Sequence, residues 1–294
     1  MNQSLSGKAQ RRFAYLMIAP TLVLFILVTL YPLLHALELS FHSWNPMRPS
    51  AGRPFVGFSN YLDILHNLDF WHSLRITLAF AVGTVCLQFL LGCLIALALN
   101  REFSGRNLAR TLFLLPLLIT PVIIGIMWRW LLNAEVGLIN YLMSLLGLPL
   151  ISWLGDASYA LISVILVDVW HLTPFTILVV LAGLQSIDQE LYEAAKIDGA
   201  NVWQSLRRIT IPLLTPVLLV VLLLITMSSF REFDKIYSLT QGGPAKATAV
   251  LGFLVYKVSF KDSHMGYGAA LSYMMLLFVL AIALIYIRLM PESE

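Results

Sequence analysis

The sequence predicts an all-α, polytopic membrane protein with six transmembrane helices, and two observations carry that prediction. Of 294 residues, 59% are hydrophobic and only 12% charged, about half the charged fraction of a soluble domain. Six stretches also supply the roughly 20 apolar residues that a helix needs to cross a bilayer. They are 13–37, 76–99, 111–130, 159–184, 211–230 and 269–287. The chain 1–294 therefore reads as one transmembrane domain.

Each stretch has its own justification. The first follows Lys8, Arg11 and Arg12, the layout of a secretory signal, but its 25 residues exceed a signal's apolar region of roughly 7–15. It reads as a retained span. The second holds Cys86 and Cys93, thiols that act as small hydrophobes in an apolar helix. Prolines interrupt the first, third, fourth and fifth spans (Pro20, Pro32, Pro116, Pro121, Pro174 and Pro216). Membrane helices tolerate them when neighbours satisfy the freed carbonyls. A further apolar segment, 247–256, is too short to cross and is expected at the interface or packed on the bundle.

Charge density orients the spans. Cations crowd the short segments before the first span, between the second and third (Arg101, Arg106, Arg110) and between the fourth and fifth (Lys196, Arg207, Arg208), with Arg288 after the last. The remaining cations, Lys235 among them, are spread over longer loops on the other side. The positive-inside rule then puts both termini in the cytoplasm. Trp44, Trp71, Trp128, Trp130 and Trp153 fall at the outer ends, as an interfacial belt requires, and Trp203 is the outlier.

This topology makes 185–210 a cytoplasmic loop. Asp188 is a good N-cap and Glu190 lies where the helix dipole favours a carboxylate. Glu193-Ala194-Ala195-Lys196 are strong helix formers. Gly199 can end the helix in a left-handed conformation. Asn201 can cap a second helix through Arg208, and Pro212 opens the fifth span.

Other chemistry is missing from the sequence. It contains no G-x-x-x-x-G-K-[ST] phosphate loop, no H-E-x-x-H zinc motif and no G-x-S-x-G elbow. The histidines lack metal-ligand spacing, so no cofactor and no metal are expected, and no catalytic residues. A net charge of +3 without a basic stripe argues against nucleic acid.

Glu193-Ala194-Ala195, Gly199, Ile209, Ile211 and Pro212 resemble the EAA loop of binding-protein-dependent ABC transporter permeases, whose pattern is E-A-A, three residues, G, nine residues, I-x-L-P. Ile211 departs from the usual Leu. Phe55–Tyr61, Phe233–Pro244 and Gly266–Ala270 resemble stretches of the carbohydrate (maltose/glycerol-phosphate-type) branch. The resemblance implies the type I importer permease fold and a coupling role for Glu193, Ala194, Ala195 and Gly199. It also implies a second homologous permease, two ATP-binding subunits and a periplasmic solute-binding protein docking on outer loops 40–74 and 235–267. The cargo would be a sugar or related polyol crossing the bacterial inner membrane.

Ionisable groups inside a span cost about 3 kcal/mol at its centre and so mark function by default. Asp168 and His171, at i and i+3 of the fourth span, share a face. They are read either as contacts for a passing solute or as an interhelical pair that holds the bundle. Ser228 and Ser229 in the fifth span are further candidates for the substrate pathway, or else sites of close packing. An alternative is a self-contained, proton-coupled secondary transporter using Asp168. An intramembrane enzyme using Asp168 and His171 is a third reading. Both leave the EAA loop unexplained.

Overall fold

The computed structural model describes residues 7–290, and among them the regular elements are helices. Five helices are long and apolar enough to cross a membrane: Tyr15–Ser40, Leu68–Asn100, Ala157–Gln185, Val202–Phe230 and Met265–Leu289. The third predicted span is broken. Where the sequence predicts one helix over 111–130, Arg106–Leu118 and Pro121–Leu131 meet at 99°. The prolines explain the break. Pro116 sits in a 3-10 turn over Leu115–Leu118, Ile119 and Thr120 are extended, and Pro121 restarts the helix at its first position, where its missing N–H is harmless.

Two further departures share a cause. The first span changes to π geometry at Ile26–Leu30, just before Tyr31-Pro32. The second loop helix does not stop at Arg208. It passes through a π segment, Leu206–Thr210, straight into Ile211-Pro212 and the fifth span. In each case the residue before the proline donates its N–H five residues back, Tyr31 to Ile26 and Ile211 to Leu206. The proline cannot donate at all, and a single π turn resets the ladder around it.

The described chain divides into two compact units. One contains the residues up to His66 and Val255–Met274. Here Asn60 donates to the carbonyls of Ser40 (2.8 Å) and His42 (3.1 Å), and the Ser40 hydroxyl meets Tyr61 Oη at 2.6 Å. Phe41, Phe58 and Tyr61 pack ring on ring. The Met265 N–H donates to the Trp44 carbonyl at 3.0 Å. Most of the Phe55–Tyr61 motif therefore builds a small folded corner. The side chains of Lys8, Arg11 and Arg12, on which the orientation rests, lie outside the described residues.

The other unit, Asn67–Leu254 with the helix from Met275 onward, carries the core. Its second, fourth and fifth spans close around Ala96, Leu99, Ile177, Val180, Leu184, Leu214, Val221 and Ile225. Gly92 permits the approach of the second and fourth spans, since a Cβ there would lie 2.4 Å from the Thr176 side chain. Small residues at such contacts are how membrane helices associate without a hydrophobic drive. A second core joins Phe80, Ile124, Val164, Val167, Ile236, Leu239, Val250 and Phe253. The short segment 247–256 thus packs into the bundle, with its helix at Leu251–Tyr256.

Candidate functional site

Two places gather the residues singled out by sequence. The first is the loop after the fourth span. Asp188 accepts from the Glu190 N–H at 3.0 Å and starts the helix Gln189–Ile197. Gly199 ends it with φ of +76° and open space where a Cβ would stand. Asn201 and Gln204 then form a reciprocal capping box, at 2.8 and 2.9 Å. Tyr192 Oη meets Thr210 Oγ1 at 2.9 Å, tying the first loop helix to the start of the fifth span. The result is a folded knob continuous with a transmembrane helix.

Glu193, Ala194 and Gly199 are exposed on the knob and Ala195 is half-buried. Its tip is apolar: Ile197 is 86% exposed, Val202 76% and Trp203 68%. Trp203, the outlier among the tryptophans, belongs to this tip. Large exposed apolar side chains on a polar loop mark a surface for another protein or for a membrane.

The second place is a buried charge cluster on the fourth span. Asp168 is 1% exposed, and its Oδ1 lies 2.8 Å from Lys235 Nζ, itself 2% exposed. The same ammonium is 2.6 Å from Glu232 Oε2 and 3.4 Å from His171 Nδ1. Gln88 of the second span donates to Asp168 Oδ2 at 2.7 Å. The Lys235 backbone N–H donates to Glu232 Oε1 at 2.9 Å. One ammonium thus faces two carboxylates and a histidine, and the Gln88 amide of the second span holds the far oxygen of Asp168.

Lys235 is the residue that sequence reasoning misplaced. Its position after the fifth span assigned it to an outer loop, yet it sits on a short helix, Asp234–Leu239, in which Lys235, Ile236, Ser238 and Leu239 are buried. The usable signal was chemical. A carboxylate stranded in the fourth span needs a cation, and Lys235 stands three residues from a second carboxylate. Asp168 and His171 both meet the Lys235 ammonium. Ser229 is buried and bonds across spans to Thr84 Oγ1 at 3.0 Å, whereas Ser228 is half-buried.

Residues 88–291 match the family model of the binding-protein-dependent transport system inner membrane component. The chain belongs to this family. Among its relatives, the probable ABC transporter permease protein y4oQ of Sinorhizobium fredii is 40% identical over 90% of this chain and 85% of its own. The trehalose/maltose transport system permease protein MalF of Thermococcus litoralis is 38% identical over 98% of both chains. A crystal structure of a bacterial alginate ABC transporter, in complex with alginate pentasaccharide-bound periplasmic protein, shares the fold. It has a TM-score of 0.83 at 24% identity and covers 97% of this chain and 96% of its own. As a binding-protein-dependent permease the chain is a transport subunit and not an enzyme. That membership sets aside the proton-coupled secondary transporter and the intramembrane enzyme alike.

Proposed function

We propose that the chain moves a sugar or related polyol across the bacterial inner membrane, driven by ATP hydrolysis in separate subunits. The observation that carries the coupling is the knob at 185–210, a rigid, apolar-tipped projection fused to the fifth span. Its tip docks in an ATP-binding subunit, with Glu193, Ala194, Ala195 and Gly199 setting the contact. Alanines admit close approach, Glu193 offers a partner to a basic side chain, and Gly199 sets the bend. Because the fifth span begins in the same helix, displacement of the knob passes to the bundle without a flexible joint.

On this reading both termini are cytoplasmic. The outer segments 40–74 and 235–267, apart from the buried Lys235, receive a sugar-loaded periplasmic protein, and a second, homologous permease completes the pathway. The sugar class rests on the names of the relatives. Asp168 and His171 act as the interhelical holding group and not as sugar contacts, because Lys235 and Gln88 already engage their polar atoms. Ser229 likewise serves packing, while Ser228 keeps the fifth span's candidate contact with solute.

The test is reconstitution of the full assembly, with ATPase stimulation measured for binding protein loaded from a panel of disaccharides, polyols and glycerol phosphates. Stimulation by a disaccharide and not by unloaded protein is expected. Equal rates with every cargo and with none would refute the assignment.

A further inference from the structure

A pocket of about 650 Å³ opens between the end of the second span and the knob, lined by Leu97, Arg101, Leu184, Tyr192, Lys196 and Leu206 among others. Its floor is apolar and its polar lining is Arg101 and Lys196 with amides and hydroxyls. No aspartate or glutamate lines it, although Glu102, Glu193 and Asp198 are chain neighbours of the two cations. Three arginines stand where the second span ends, and two are committed. Arg106 Nε and Arg110 Nη2 donate to the orphan carbonyl of Leu99 at 2.9 and 3.2 Å. Arg101 has no such task. Among the described residues, neither it nor Lys196 makes an ion pair.

The place matters as much as the charge. The second span ends at Asn100 and the fourth at Gln185, so the pocket lies beside the ends of two apolar helices. Two uncommitted cations over a largely apolar lining at the ends of membrane helices match a phosphate group carrying acyl chains, because basic pockets between membrane helices hold anionic headgroups.

We infer that this pocket binds the phosphate of an anionic phospholipid, held by Arg101 from the span and Lys196 from the knob. An occupied site bridges the second span to the knob. This assignment concerns lipid binding and stands whether or not the knob couples to ATP.

The experiment uses the full chain in phosphatidylcholine nanodiscs doped with phosphatidylglycerol, with bound phosphatidylglycerol counted by native mass spectrometry. Arg101→Gln and Lys196→Gln are each expected to lower retention about fivefold, the share of one headgroup-facing cation. Arg101→Lys should restore most of it. The control is Arg207→Gln/Arg208→Gln, which removes two exposed cations of the same loop that do not line the pocket, and it should retain the lipid. Equal retention in all variants, or equal loss in the control, overturns the site. Displacement of the lipid by inorganic phosphate at millimolar level, with the same Arg101 dependence, overturns the lipid source and assigns a free anion instead. A monodisperse elution profile for each variant separates lost lipid from lost fold.

Discussion

Replacing Lys235 with methionine removes a cation and leaves a side chain of similar length. In the native cluster its ammonium lies 2.8 Å from Asp168 and 2.6 Å from Glu232, all three groups being more than nine-tenths buried. Lys235→Met would strand two carboxylates, and breaking a buried pair by deleting one partner costs about 3–5 kcal/mol. Asp168→Asn is gentler. It leaves one ammonium against one carboxylate and keeps an amide in place of the acid, so the loss is that of one charge-assisted bond, about 1.5–3 kcal/mol. The double variant leaves only Glu232 unpaired, so its cost should fall short of the sum of the singles by about 0.5–3 kcal/mol. Denaturant titration of the detergent-solubilised chain, followed by tryptophan fluorescence, measures all three. Lys235→Met as stable as the parent, or less damaging than Asp168→Asn, would refute the cluster as the holding group.

The other predictions follow the same logic. A Cβ at position 199 meets no atom within 4 Å, but Gly199→Val must hold φ near +76°, at a cost of about 1–2 kcal/mol. Binding-protein-stimulated ATPase should drop while the melting temperature falls by only a few degrees, and unchanged stimulation would remove Gly199 from the coupling role. Ile197→Ser and Trp203→Ser alter exposed side chains, so chain stability should stay within about 0.5 kcal/mol while co-purification of the ATP-binding subunit declines. Gly92→Leu drives a side chain into Thr176 and should destabilise by about 1–3 kcal/mol, read by thermal aggregation. Ser229→Ala removes the bond to Thr84 and should cost only about 0.6 kcal/mol.

The spans were legible because membrane insertion reads one-dimensional information. A run of apolar residues of the right length must form a helix, whatever packs beside it, since no solvent is there to satisfy the backbone. The caps were legible for a similar reason: Asp188, Gly199 and Asn201 act on backbone within four residues of themselves. The break in the third span was less so. Pro116 and Pro121 announced an interruption, but either a kink or a full 99° turn accommodates the same two missing N–H groups.

By itself, then, the sequence determined the all-α class, the spans, the knob after the fourth span and the family signature on it, all from local composition and spacing. Tertiary structure decided the partner of Asp168. Lys235 is separated from it by most of two helices, and nothing in its immediate sequence distinguishes a solvated loop lysine from a buried one. Hydrophobic length is a property of a segment, whereas neutralising a buried charge depends on which segments meet in space.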